Sequence, residues 1–338
     1  MQVTVSVVVP AFNEEACLPE LFRRLEAVFD AEPDYSWECW IVENGSTDNS
    51  WSLIGAQTRR DERFHGIQLS RNFRMDGGLT AGLDFVSGDA CVLMTADLQD
   101  PPELIHDFLR RWEEGYENVY GVVSDRKGIS RLRAFNSRMF YRLAGLLTGD
   151  LLPANASDFR LIDRRVYLAI RQMEERNRFV RGLSAWVGFR SIGVPMSRPP
   201  RYAGESKAHS LPVVGLAIRG ILAHSTVPLR LITVVGFILS LSALLGVVFF
   251  SIVWFTRGVP FAGFGTLVSI LFLGFGILTL MLGVLSEYLG LIYDEVKRRP
   301  NFLVREIANP IKSVPRPVEV SDSQSPLETM KVIDGSHQ

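Results

Sequence analysis

Two stretches without a single charge constrain this chain more than anything else in it. Leu231 to Thr256 contains no Asp, Glu, Lys or Arg, and neither does Gly258 to Ser286. Each exceeds the ~20 apolar residues with which a helix crosses a bilayer. A short turn region, Arg257-Gly258-Val259-Pro260, joins them. Core helices of soluble domains rarely run so long without charge, so a transmembrane hairpin is predicted. Basic residues give its direction. Arg219 and Arg230 precede the first run; Lys297, Arg298, Arg299 and Arg305 follow the second; only Arg257 lies between. The positive-inside rule puts both flanks in the cytoplasm. Trp254, Phe255, Tyr288 and Tyr293 stand near the span ends, as interfacial aromatics do. The start, Met1-Gln2-Val3-Thr4-Val5, lacks the basic region and cleavage site of a signal peptide. An integral membrane protein is expected, with its long N-terminal part and its C-terminal segment in the cytoplasm.

The part before the hairpin reads as α/β. Val3 to Val9 is a valine-rich run, as suits a strand buried on both faces. Pro10 to Glu15 is read as the loop after it. A helix follows from about Cys17 to Phe29, with Leu18, Leu21, Phe22, Leu25 and Val28 on one face. Strands are expected at Trp37–Val42, Phe64–Leu69 and Ala90–Met94, with a helix near Gly78 to Val86. This alternation predicts a parallel sheet wound by crossovers. No G-x-G-x-x-G follows the first strand, which argues against a dinucleotide-binding dehydrogenase. With 36 basic and 37 acidic side chains there is no basic stripe, so no nucleic-acid partner is expected. Cys17, Cys39 and Cys91 form no C-x-x-C or zinc pattern and read as small buried hydrophobes in a reducing compartment.

Further along, Val119 to Val123 suggests another strand and Ser130 to Leu147 a helix. Ala156 to Leu161 is a short polar–apolar alternation, and a strand is expected around Phe189 to Val194. Arg198 to Lys207 is basic, rich in Pro and Gly, and irregular. Leu211 to Ala223 is amphipathic and reads as an interfacial helix, though a plain core helix has the same pattern. Beyond Pro310 the composition is that of a disordered tail. The expected units are thus a domain over 1–210, an interfacial helix over 211–227, two spans over 228–295, a cytoplasmic segment over 296–310 and a tail over 311–338.

The chemistry centres on Val92 to Glu103, VLMTADLQDPPE. An apolar strand ends there in two carboxylates and an amide. In open parallel sheets ligands sit beyond the carboxyl ends of the strands. Asp97 and Gln99 are therefore placed where a Mg²⁺ ion, which takes oxygen ligands from one or two carboxylates plus substrate phosphates, could be held. A turn with solvated acids would look the same. Beside a membrane hairpin, such a loop suits a soluble nucleoside diphosphate sugar as donor and a lipid phosphate as acceptor. Arg131, Arg201 and Lys207 are the candidates to hold that phosphate. A phosphate monoester is mostly dianionic at neutral pH, so electrostatic positioning matters more than a general base.

Five segments in order, VSVVVPAFNEE (5–15), ENGSTDNS (43–50), LSRNF (69–73), ADLQDPPE (96–103) and RYAGESK (201–207), resemble the family 2 glycosyltransferases. The resemblance is to the polyprenyl-phosphate branch, which includes dolichol-phosphate mannose synthase and the bactoprenol glucosyltransferases. It covers roughly residues 3 to 305. It implies a GT-A (Rossmann-like) fold, inverting transfer, dependence on Mg²⁺ or Mn²⁺, and a product with the sugar on an undecaprenyl- or dolichyl-type phosphate. It makes a homo-oligomer, with a tetramer among the options, plausible. Matching positions imply donor-binding roles for Pro10, Ala11, Asn13, Glu15, Glu43, Asn44, Ser46, Thr95, Ala96 and Asp97. They imply metal ligation by Asp97 and Gln99. They imply phosphate or acceptor contacts by Arg131, Ser137, Arg160, Arg201, Ser206 and Lys207. Asp158 matches an acid near the acceptor, as a base or a positioning group, and joins Asp97 as a catalytic candidate. Two departures stand out: Glu43-Asn44-Gly45-Ser46 replaces the usual D-D-G-S, and Thr95-Ala96-Asp97 the usual D-A-D. A polysaccharide synthase would normally show Q-x-x-R-W and more spans; Arg178 to Gly182 has Gly where Trp should be. A binding or scaffold protein built on an impaired transferase is the non-enzymatic alternative.

Overall fold

The computed structural model describes residues 2–123, 155–176, 178–199, 227–257 and 264–309. Four parallel strands form the centre: β1 (Val3–Ala11), β2 (Tyr35–Glu43), β3 (Phe64–Leu69) and β4 (Ala90–Leu93). Along β1, Val5, Val7, Val8 and Val9 are all 0% exposed. Alternate side chains of a strand point to opposite faces, so Val5, Val7 and Val9 join one apolar cluster and Val8 the other. That is why the run shows no polar alternation. Helices pack on both faces: α1 (Leu18–Ala31), α2 (Ser50–Arg60), α3 (Arg74–Phe85) and α4 (Ile105–Glu113). The buried residues of α1 are those its 3.6-residue periodicity picks out: Leu18, Leu21, Phe22, Leu25, Val28 and Phe29. Cys17, Cys39 and Cys91 are buried free thiols.

The sheet is mixed, not wholly parallel. Its other strands are β5 (Asn118–Val123), β6 (Ala156–Asp163), β7 (Ser191–Met196) and β8 (Val304–Ala308), in the order β7-β5-β6-β4-β1-β2-β3-β8. The alternation at Ala156 to Leu161 is strand β6, antiparallel to both β4 and β5. Helices α5 (Arg164–Gln172) and α6 (Val180–Trp186) follow it. Strand β8 pairs antiparallel with β3. It lies beyond both charge-free runs, so the sheet extends past residue 210 and takes its last strand from the segment 296–310. Its Arg305 and Glu306 are exposed, as charges on an edge strand should be.

The first charge-free run falls in a long helix, α7 (Val227–Arg257, 31 residues), and the described part of the second, from Phe264 on, falls in α8 (Phe264–Val296, 33 residues). Among the described residues one stretch is long and apolar enough to cross a membrane: Leu273–Val296, with mean hydropathy 1.8 and none of its apolar window buried. In α7 the apolar stretch Ile232–Gly246 is shorter. The expected helices at 130–147 and 211–223, all of the expected turn region but Arg257, and the tail 311–338 lie outside the described residues.

From the end of α8 the chain runs back along the α/β part, to the sheet edge at β3. Glu295 Oε2 accepts from the Arg176 backbone N–H at 3.0 Å, and Asn301 Nδ2 donates to Glu175 O at 3.1 Å. Leu303 O accepts from Ser70 N at 2.9 Å. Phe302, Val304 and Ile307 pack against the apolar cluster that contains Val8 and Trp40. The strand ends in a latch: Asn309 Nδ2 donates to Glu62 O and Phe64 O, while its carbonyl meets His65 Nδ1 at 2.6 Å.

Candidate active site

Four loops meet at the carboxyl ends of β1 to β4, and backbone-to-side-chain bonds knit three of them together. Asn13 has φ 54. Its N–H donates to Ser46 Oγ at 2.9 Å, and its Oδ1 accepts from Thr47 N at 2.8 Å. Glu15 N donates to Asp48 Oδ2, and Glu15 Oε2 accepts from Asn49 N. Asn44, only 3% exposed, bridges to the third loop: Oδ1 accepts from Phe73 N at 2.8 Å and Nδ2 donates to Arg74 O at 2.7 Å. Gly45 (φ 70) lies so close to this loop that a Cβ would stand 2.6 Å from the Arg71 carbonyl carbon. Side-chain amides and hydroxyls thus do locally what a regular ladder cannot, as Asn and Ser commonly do in turns. Pro10, Ala11 and Glu43 lie inside strands β1 and β2 rather than in the loops expected for them. This longer β2 puts the Glu43 carboxyl under the loop. Its Oε1 accepts from Ser46 N, and its Oε2 is buried with no hydrogen-bond partner. An orphaned buried oxygen is uncommon enough to need a reason.

The β4 loop is built around Thr95. Its hydroxyl lies 2.8 Å from Asp97 Oδ1 and 2.7 Å from Asp100 Oδ2, and its N–H donates to Asp100 Oδ2 at 3.1 Å. Thr95 therefore holds Asp97 through a neutral bridge where the usual motif has a second acid. Asp100 is fully buried, and burial pushes its carboxyl pKa up against the lowering effect of the Thr95 bonds. Leu98 sits at φ 59, a left-handed conformation that an ordinary L-residue adopts only under constraint. Gln99 N reaches back to Asp97 Oδ1 at 3.3 Å, and Gln99 Nε2 lies 3.5 Å from Pro199 O. Asp97 and Gln99 are thus adjacent oxygen-bearing groups on one strained turn. Among the described residues no group of three or more His, Cys, Asp or Glu could hold a metal.

The fourth wall comes from β6 and α6. The pairing of Leu93 with Arg160 brings Asp158, two residues upstream, level with Thr95. Arg181 Nε and Nη2 donate to the two Asp158 oxygens at 2.7 and 2.6 Å. Burial raises the Asp158 pKa, but the Arg181 fork and the charges of Arg160 and Arg198 outweigh it and hold it below the usual carboxylate range. Arg160 is not presented to the mouth as a phosphate ligand would be. It is 2% exposed, donates to the carbonyls of Ser157 and Asp158, and burial pulls its pKa down to about 10. Arg198 reaches to 4.0 Å from Asp100 Oδ1. Arg131, Ser137, Arg201, Ser206 and Lys207 lie outside the described residues.

Motif reading missed Asp100, Ser157, Arg181 and Arg198. Asp100 stands inside VLMTADLQDPPE without a distinguishing signal. Arg181 lies in the segment Arg178 to Gly182, which departs from Q-x-x-R-W and carries no sign of its partner Asp158. A hollow of about 500 Å³ between Phe29, Pro33, Tyr35, Trp37 and Arg63 lies at the opposite end of β2 and takes no part in this arrangement.

A family model described as "Glycosyl transferase family 2" matches residues 6–171. The uncharacterized glycosyltransferase sll0501 of Synechocystis is 40% identical over 308 residues, covering 91% of this chain and 96% of that protein. The prophage-derived bactoprenol glucosyl transferase of Shigella flexneri is 38% identical over 304 residues, covering 89% and 97%. Among solved structures, glucosyl-3-phosphoglycerate synthase of Mycobacterium tuberculosis, in complex with Mn²⁺, UDP and glucosyl-3-phosphoglycerate, aligns at 20% identity with a TM-score of 0.44, over 66% of this chain and 78% of that one.

Proposed function

Because this chain belongs to glycosyltransferase family 2, we propose that it moves a sugar from a nucleotide-sugar donor to a polyprenyl phosphate at the cytoplasmic face of a membrane, with inversion. The observation that carries the donor assignment is the orphaned Glu43 Oε2 beneath loops that Asn13, Glu15 and Asn44 bond to one another. A buried acceptor without a donor is what a site awaiting an N–H or O–H of its ligand leaves open. Pro10, Ala11, Asn13, Glu15, Asn44 and Ser46 form the surrounding cradle, with Thr95 and Ala96 at its inner edge. The lipid acceptor is supported by the relatives named bactoprenol glucosyl transferase, which match this chain across 89% of its length.

Asp97 and Gln99 offer hard oxygens, the donor type that Mg²⁺ and Mn²⁺ prefer. With donor diphosphate oxygens completing the shell, they would hold the ion. Bound there, it would neutralise charge on the departing nucleoside diphosphate. The chain's own groups do the rest. Thr95 keeps Asp97 turned toward Gln99. Arg131, Ser137, Arg201, Ser206 and Lys207 are assigned to the two phosphates. In the transfer, an acceptor phosphate oxygen bonds to the anomeric carbon from the face opposite the bond to the diphosphate, which breaks. The acceptor enters as a dianion, so no proton has to leave it.

The path of the chain supports the hairpin. Strands β3 and β8 are bonded neighbours, yet α7 and α8 lie between them in sequence. If α8 crosses a membrane, the chain must cross an even number of times to return to the same sheet. Helix α7, at 31 residues, is long enough for the other crossing.

The test is a donor panel. Membranes holding the protein, given Mg²⁺, undecaprenyl phosphate and radiolabelled UDP-, GDP- or CMP-sugars, form a chloroform-soluble labelled lipid with one of them. EDTA abolishes the label, and so does Asp97→Ala in a protein that still melts cooperatively. No labelled lipid from any donor, despite measurable nucleotide binding, would replace this reading with that of a binding protein.

A further inference from the structure

The Asp158–Arg181 pair is built with more support than a surface ion pair. The guanidinium meets the carboxylate through two parallel bonds of 2.7 and 2.6 Å, and its third nitrogen, Nη1, donates to Ala156 O at 3.0 Å. Each side chain is 27% exposed. The guanidinium carbon also stands 5.6 Å from the centre of the Phe179 ring. The helix carrying Arg181 is pinned in turn, because Asp76 Oδ1 on α3 accepts from Val180 N at 3.0 Å. Arg181 thus touches three consecutive features of the mouth: the start of β6, the Asp158 carboxylate and the Phe179 ring. A fork of this kind fixes direction as well as charge.

Asp158 is paired with Arg181 and also lies in the field of the Arg160 and Arg198 charges. Both of its oxygens are spent on one partner. That is the arrangement of a fixed counter-ion, not of a carboxylate waiting for a proton. It also stands beside the loop of Asp97, where a second anion must come close. A bare carboxylate there would repel a phosphate dianion; the paired one does not.

We infer that Arg181 is a positioning residue for the acceptor side of the reaction, fixing Asp158 in one orientation beside the Thr95–Asp97 loop and cancelling its charge where the anionic acceptor enters. The inference rests on the transferase reading above, since it presumes a phosphate acceptor. Asp158 then works through this pair and not as a general base.

The experiment uses the full-length protein in lipid vesicles, undecaprenyl phosphate as acceptor and the donor that the wild type accepts. Arg181→Met raises KM for the lipid phosphate by at least about thirtyfold, the usual scale for removing one partner of a partly buried pair. The Kd for the nucleoside diphosphate stays within about twofold. Arg181→Lys, which keeps the charge but loses the fork, recovers part of that loss and guards against misfolding of the first variant. Asp158→Asn raises the same KM. The double variant Asp158→Asn/Arg181→Met is no worse than Arg181→Met alone, because no unpaired charge remains. Additive losses in the double variant would overturn the inference, and so would a hundredfold fall in kcat for Asp158→Asn with the acceptor KM unchanged, which would make Asp158 a participant in the chemistry. A wild type that labels no lipid sinks the transferase reading itself; an active wild type beside an unaffected Arg181→Met sinks this inference alone.

Discussion

Replacing Glu43 by Gln should move stability and donor binding in opposite directions. In the free protein, Glu43 is 1% exposed and its Oε2 has no partner. Leaving a buried polar atom unsatisfied costs about 1–3 kcal/mol, more when the group is charged. Glutamine keeps an oxygen to accept from Ser46 N and puts a neutral amide where the orphan oxygen stood. Most of the relief comes from removing the buried carboxylate, and about 1 kcal/mol of stabilisation is expected. In a domain of this size that raises Tm by about 2–4 °C. Nucleotide binding pays the other way. A hydrogen bond between a ligand and a charged acceptor contributes about 1.5–3 kcal/mol, which corresponds to a roughly 10- to 150-fold weaker Kd. Melting curves in detergent with and without nucleoside diphosphate, joined to calorimetric titration, read both numbers from one preparation. The wild type gains Tm from the nucleotide, and the Gln variant starts higher and gains little. A variant that binds as tightly as wild type, or one less stable by more than about 1 kcal/mol, would refute the assignment of Oε2 to the ligand.

Two further outcomes rest on the same loop region and on the β3–β8 edge. Gly45→Ala places a methyl 2.6 Å from the Arg71 carbonyl carbon at φ 70, so it should cost roughly 2–4 kcal/mol through left-handed strain and overpacking. It also pushes the Ser70–Phe73 loop outward, and a melt plus a nucleotide titration checks both effects. Burial lowers the pKa of His65, whose Nδ1 meets the Asn309 carbonyl. The unfolded chain therefore takes up the proton first, and stability contributed by this site is present above the unfolded pKa of about 6.5 and falls as pH drops below it. Measured against the intrinsic exchange rate at each pH, protection at Val304–Ala308 should fall between pH 7 and 5.5 more than protection in β1, and His65→Phe should flatten that difference.

Much of this architecture can be read from residue order because its signals are local. The valines of β1 admit only a strand covered on both sides, and the periodic face of α1 names its own core residues. The loops around Asn13, Asn44 and Ser46 carry turn-forming side chains whose partners lie in neighbouring loops. What escaped reading depends on partners far along the chain. The alternation of β6 gives no hint of strand direction, so its antiparallel place between β4 and β5 had no local sign. Strand β8 is five residues with two exposed charges, too short and polar to declare itself. Glu43 falls inside β2 because β2 pairs with β1 out to Ala11, which a turn-rich sequence after it concealed. Arg160, expected to meet a phosphate, and Arg181, for which no role was expected, differ from the reading for a similar reason. The arginine two residues from Asp158 is absorbed by backbone carbonyls, and the one that holds the carboxylate stands 23 residues away.

Strand β8 also sets a timetable. His65 and the Asn309 that latches onto it are 244 residues apart. At synthesis rates of about 5–20 residues per second, roughly 10–50 s separate their emergence. Throughout that interval β3 is an open sheet edge, with unpaired N–H and C=O groups and an uncovered apolar seat for Phe302, Val304 and Ile307. Such edges recruit other chains. A nascent or truncated form that stops short of Val304 is therefore the aggregation-prone state of this protein, and a soluble version of the domain will need a substitute strand for that edge.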